Sequence, residues 1–147
     1  MNISEIIVMA SDHAGFFHKE FLKNALTEKG YQIKDMGTYS SERVDYPDMI
    51  HPLAKAISED QYQTGIIICG SGNGVAMVAN KYPNVRCALC WNVEIARLAR
   101  NHNNANIISL PARFVTQQEA LEILTTFLES DYDGGRHQQR IDKINIL

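Results

Sequence analysis

With 147 residues, 45% of them hydrophobic, and a formal net charge of -3, the chain has the size and composition of one globular domain. The acidic balance argues against a dedicated nucleic-acid binder, and no apolar run approaches the ~20 residues that span a bilayer. Met1-Asn2-Ile3-Ser4-Glu5 has no basic stretch leading into an apolar run, so no signal peptide, no membrane partner and a cytoplasmic location are expected.

The first predicted strand is Ile6–Ala10, followed by a helix over Ala14–Lys29 with Phe21, Leu22, Ala25 and Leu26 on one side and Gly30 as its stop. A strand over Tyr31–Met36 comes next, then a helix over Pro47–Glu59, opened by proline. Gly65–Cys69 is a nearly continuous apolar strand. The turn Gly70-Ser71-Gly72-Asn73-Gly74 and a helical pattern over Val75–Asn80 follow it at once. Val85–Cys90 reads as a strand, and Asn92–Asn103 as a helix with Ile95, Leu98, Ala99 and His102 on one face. The last strand is Asn106–Leu110. Thr116-Gln117-Gln118-Glu119 is a capping box for a helix carrying Leu121, Leu124 and Leu128. After the break at Asp131–Gly135, a final helix is predicted over Arg136–Ile146. Strand and helix alternate throughout. The expected fold is therefore a single α/β domain over residues 1–147: a Rossmann-like, three-layer α/β/α sandwich around a doubly wound parallel sheet of about five strands. Ligands of such sheets bind at the strands' carboxyl ends, which here means the loops at Ser11–Gly15, Gly70–Gly74 and after Leu110.

Cys69, Cys87 and Cys90 are expected to be free thiols. Cys87-Ala88-Leu89-Cys90 matches a C-x-x-C spacing, but on a strand residues three apart point to opposite faces, so two structural cysteines are the reading.

The chemistry concentrates at Cys69. Strand, glycine turn and helix N-terminus together aim backbone N–H groups at an anion, and a thiol in that field can serve as base or nucleophile. The turn lacks the Lys-Ser/Thr ending of a P-loop and the third glycine of a dinucleotide fingerprint. Asp12-His13 after the first strand fits helix capping by Asp12 or contact with a sugar hydroxyl and an anion. His102 fits a satisfied core histidine, or an acid near a helix C-terminus. Arg136 and Arg140, at i and i+4, form either a solvated basic face or a paired phosphate fork, with Arg113 as a third candidate.

Six segments in order resemble the type B ribose-5-phosphate isomerase family, which also includes galactose- and allose-6-phosphate isomerases. They are Ser11–Phe16, Gly37–Pro47, Ile68–Gly74, Ala79–Lys81, Arg100–Asn106 and Gly134–Arg140. The resemblance covers nearly the whole chain. It implies an isomerase without cofactor or metal that interconverts ribose 5-phosphate and ribulose 5-phosphate through an enediolate. It implies Cys69 as the base, with Ser71 and the turn N–H groups of Gly70, Gly72, Asn73 and Gly74 holding the enediolate oxygen. His102 with Asp12 would open the sugar ring; Arg113, Arg136, Arg140 and His13 would bind phosphate; Tyr46 and Asn103 would contact the sugar. It also implies a homodimer, in some members a tetramer, whose site is built from both subunits. Alternatives within the resemblance are a hexose-6-phosphate isomerase and a non-catalytic sugar-phosphate sensor. The chain departs from the family pattern at Ser71, where threonine is common and the hydroxyl is kept, and at Pro111, where glycine is common.

Overall fold

Apolar strands alternate with amphipathic helices along residues 4–146, which are described by a computed structural model. The elements are β1 (Ile6–Ser11), α1 (Phe16–Glu28), β2 (Gln32–Asp35), α2 (Tyr46–Ser58), β3 (Thr64–Cys69), α3 (Asn73–Ala79), β4 (Cys87–Leu89), α4 (Val93–Asn101), β5 (Ile107–Pro111), α5 (Gln117–Glu129) and α6 (Arg136–Ile141). The strands form one parallel sheet in the order β2-β1-β3-β5-β4. From the β1/β3 pair the chain reaches β2 at one edge and β4 at the other, then returns to β5 between β3 and β4, within the doubly wound parallel arrangement expected from the sequence.

The period of two along the strands sorts side chains into two cores. Ile7 and Met9 of β1 face α1, α4 and α5, where Leu22, Leu26, Ala96, Ala99, Leu124 and Phe127 are buried. Val8 and Ala10 face α2 and α3, where Ile50, Leu53, Ile57, Val75 and Ala79 are buried. Ile50, Leu53 and Ile57 are spaced by three and four residues, so one face of α2 lies on the sheet. Burying each contributes roughly 1.5–3 kcal/mol. Gly65 belongs to this packing, because a Cβ there would lie 2.9 Å from Leu53 Cδ2.

Cys87 and Cys90 fall on opposite faces, Cys87 beside the second core and Cys90 in the first. Burial pushes the Cys87 thiol far up and the Cys90 thiol up to about 12, so both stay protonated and inert. The Thr116–Glu119 capping box is present. Several elements are shorter than the sequence suggests, β4 and the final helix most in proportion. β4 is confined to Cys87–Leu89: the Arg86 N–H is taken by Asn106 Oδ1 at 2.8 Å, and that of Cys87 by Asn80 Oδ1 at 2.8 Å. The final helix stops at Ile141 rather than Ile146. Asp142, Ile144, Asn145 and Ile146 are weak helix formers, and the exposed segment has no core to lie on.

Lys19 has no exposed surface. Its Nζ lies 2.6 Å from Asp35 Oδ2, which Lys23 also meets at 2.8 Å. Burial opposes ionisation of Asp35, but the two ammonium groups and the Gly37 N–H outweigh it and hold the carboxyl below its ordinary range.

Candidate active site

The loops after β1, β3 and β5 meet the start of α2 in a cleft of about 570 Å³ lined by Asp12, His13, Tyr46, Cys69, Ser71 and Arg113, among others. Cys69 ends β3 and is 5% exposed. The Gly72 N–H donates to its Sγ at 3.1 Å, which fixes the sulfur against the turn. Gly72 has φ of 75°, a conformation glycine adopts without strain, and this brings the chain round into α3. The turn is anchored from below: buried Ser109 of β5 donates its hydroxyl to Gly72 O at 2.7 Å. Asn73 N–H donates to Ser71 Oγ at 3.2 Å. The N–H groups of Ser71 and Gly74 have no acceptor among the described residues and are available to an anion.

Neighbouring loops complete this cleft. Asp12 is buried and its Oδ1 accepts the Gly15 N–H at 3.0 Å, which closes the turn ahead of α1; the helix N-cap is Gly15, without a side-chain cap, so Asp12 does not cap α1 as the sequence suggests, and it lines the cleft. His13 Nδ1 accepts the Val44 N–H at 3.2 Å, which leaves Nε2 as the ring's donor in the neutral form. The Tyr46 ring lies over Gly74, where an added Cβ would come within 2.6 Å of it. The Arg113 side chain covers Gly70, and its N–H donates to Gly70 O at 2.9 Å. Pro111, opposite Cys69 in the ladder, therefore does not keep Arg113 from the cleft.

The remaining candidates lie elsewhere in the same chain. His102 ends α4 as its C-cap. With Asn103, His137, Arg140, Ile141 and Ile144 it lines a second cleft of about 310 Å³. Arg136 and Arg140 share α6 and are exposed. A helix that follows a parallel strand runs back to the strands' amino ends, so His102 is set a strand length, roughly 17–20 Å, from the level of Cys69.

Sequence reasoning missed the scaffold of this second cleft. Arg100 Nη1 donates to Asn104 Oδ1 at 2.9 Å and to Ala105 O at 2.7 Å. Arg86 Nε donates to Asn104 O at 2.9 Å. Burial pulls both guanidinium groups below their ordinary range, in Arg100 aided by the nearby charge of Arg86. Asn101 Nδ2 donates to Asp131 O at 2.6 Å, and the Asp133 N–H to Asn101 O at 3.0 Å. The His102 turn is thereby stitched to the segment that leads into α6. The available signal was an arginine in the last helical turn before an asparagine-rich stretch.

Similarity to known proteins bears on this geometry. A family model described as ribose/galactose isomerase matches residues 7–144. The chain is 38% identical over 141 residues to ribose-5-phosphate isomerase B of Escherichia coli K12, covering 96% of this chain and 95% of that one. The structure of a ribose 5-phosphate isomerase from Thermotoga maritima superimposes with a TM-score of 0.95 at 46% identity, over 98% of this chain and 99% of that one. Ribose-5-phosphate isomerase B from Mycoplasma genitalium, solved with bound ribulose-5-phosphate, matches with a TM-score of 0.92 at 41% identity, over 97% and 95% of the two chains.

Proposed function

Because this chain belongs to the ribose/galactose isomerase family, we propose that it interconverts D-ribose 5-phosphate and D-ribulose 5-phosphate. The observation that carries the reading is the Cys69 sulfur, placed beside a glycine turn with free N–H donors in a cleft that also holds Asp12, Tyr46 and Arg113. In the open-chain aldose, Cys69 takes the proton from C2 and returns it to C1, while the proton of the C2 hydroxyl passes to the C1 oxygen. The charge that appears on the enediolate oxygen between these steps is met by Ser71 and the N–H groups of the turn. The same proton transfer run backwards gives the aldose. Ring opening needs a proton moved between the ring oxygen and the anomeric hydroxyl, a task for His102 with Asp12. Tyr46 and Asn103 hold the sugar, and Arg113, Arg136, Arg140 and His13 hold the phosphate. This sequence of steps uses no cofactor.

His102, Asn103 and Arg140 cannot reach the Cys69 cleft of their own subunit, which supports a homodimer in which each subunit supplies them to the other. The large apolar side chains left exposed near the Cys69 cleft agree with this: Met77 is 66% and Phe114 75% exposed. The reading places the enzyme in the cytoplasm and in the pentose phosphate pathway. Among the described residues no helix is long and apolar enough to cross a membrane.

The test is ketose formation from ribose 5-phosphate by the purified protein, run beside allose 6-phosphate and galactose 6-phosphate. Turnover of the pentose phosphate is expected to dominate. Preference for a hexose phosphate would replace the substrate, and binding without turnover would make the chain a sensor. Arg136→Ala and Arg140→Ala each remove a charge-assisted phosphate contact, worth roughly 1.5–3 kcal/mol. KM is expected to rise about 10- to 100-fold with a much smaller change in kcat. An unchanged KM in both variants would take α6 out of the phosphate site.

A further inference from the structure

The second cleft holds three side chains that the isomerase chemistry does not use together. One ligand atom from each of His102, Asp133 and His137 lies within 4.8 Å of the other two, and none of the three residues is buried. The two imidazoles are stacked, with centroids 4.4 Å apart and planes inclined by 15°. None of the three side chains has a hydrogen-bond partner among the described residues, so their lone pairs are unspent. Their backbones are held in place by the Asp133 N–H to Asn101 O bond at 3.0 Å, the His102 N–H to Leu98 O bond at 2.9 Å and the His137 N–H to Gly134 O bond at 3.3 Å.

We infer that His102, Asp133 and His137 form a site for a transition-metal dication such as Zn²⁺, and that the bound ion shuts off the enzyme by capturing His102. Two imidazoles and one carboxylate suit a borderline metal with a fourth position left to water, whereas Mg²⁺ and Ca²⁺ favour all-oxygen shells. In the stacked arrangement the two ring planes, and the lone pairs that lie in them, do not converge on one point. Neither ring is buried, and binding requires their rotation about the side-chain torsions to bring both lone pairs to one point. Arg136 and Arg140 oppose a dication here, but both are exposed and their long stems can carry the guanidinium groups outward. Their field makes the site weaker than a buried one, as a reversible inhibitor requires. A histidine that ligates a metal through its free nitrogen can no longer exchange a proton there. The inhibitory consequence rests on the isomerase reading; the metal site does not.

The experiment is calorimetric titration of the intact protein with Zn²⁺, repeated for His137→Ala and Asp133→Asn, with the visible spectrum of the Co²⁺ form as a second readout. One ion per subunit is expected for the parent chain, with affinity reduced at least tenfold in His137→Ala. In the ribose 5-phosphate assay, Zn²⁺ at saturating concentration should lower the rate more than tenfold and a chelator should restore it. His137→Ala should keep its basal rate and resist the ion. Equal Zn²⁺ affinity in parent and both variants, or no binding, overturns the site. Inhibition that persists in His137→Ala places the ion on a thiol such as Cys69 and also overturns it. Absence of turnover in metal-free protein would defeat the isomerase reading, while the titration still decides the site.

Discussion

Cys69→Ala is expected to lower kcat by about three orders of magnitude, within the 10²–10⁴-fold range of a lost general base, while ribose 5-phosphate binding changes little. The two halves of this expectation have separate causes. Sγ is the only group the substitution removes that can accept the C2 proton, and the phosphate contacts lie on other residues. The turn loses one bond, that of the Gly72 N–H to Sγ at 3.1 Å, and keeps its other anchors. Ser109 still holds Gly72 O, and Arg113 N–H still donates to Gly70 O. Alanine also leaves β3 unstrained, since Cys69 sits at its very end. Cys69→Ser is expected to give no useful rescue, because a hydroxyl gives up its proton far less readily than a thiol. Kinetics paired with calorimetric binding of ribose 5-phosphate decide the matter. Loss of binding together with turnover would make Cys69 a structural residue, and retained turnover would move the base elsewhere.

The largest expected loss of stability is at Lys19. Lys19→Met keeps the stem and removes the ammonium group, so its effect reports the charge rather than a cavity. Removing one partner of a buried ion pair costs about 3–5 kcal/mol. Lys23 remains on Asp35 at 2.8 Å, which puts the expected loss at the lower end, about 3 kcal/mol. For a chain of this length that is a fall in Tm of roughly 6–12 °C. Asp35→Asn should cost more, because it leaves Lys19 charged and buried with only Glu20 Oε1, at 3.5 Å, as an anionic partner. The pH dependence follows from the depressed carboxyl of Asp35. A group whose folded pKa is lowered stabilises the fold fully above its unfolded value, about 3.9, and loses that contribution as pH falls through the folded value. Denaturant melts of parent and Lys19→Met should therefore differ most near neutral pH and converge as pH falls below the ordinary carboxylate range. A difference below about 0.5 kcal/mol at neutral pH would show that the buried ammonium is dispensable.

What the sequence disclosed follows from how each feature is encoded. Ile66, Ile67 and Ile68 announce a strand covered on both faces, and the glycines of Gly70–Gly74 announce a turn with unusual backbone angles; both signals are local. The site loops followed from these by the topology rule for parallel sheets. Helix ends were less legible, as at Ile141, because the stop depends on whether a core lies beneath the next turn. Lys19 was passed over as a charged residue on an amphipathic helix. Yet it precedes Leu22 by three positions and Leu26 by seven, which puts it on the buried stripe and calls for a partner such as Asp35 at the end of β2. Arg100 escaped notice for a different reason. Its acceptors are backbone carbonyls and an asparagine, groups that carry no pattern in the chain. The separation of His102 from Cys69 was readable in principle, since one ends a helix and the other a strand, and those ends lie on opposite sides of a parallel sheet.

If the site is shared as proposed, that separation would make the pair of chains, not the single chain, the unit on which mutation acts. With the shared site proposed above, a subunit crippled at Cys69 and another crippled at His102 still assemble one whole site between them, formed from the intact Cys69 cleft of one and the intact His102 turn of the other. Two damaged chains made in one cell would then restore activity that neither has alone, whereas both lesions on a single chain would be rescued only by an undamaged one.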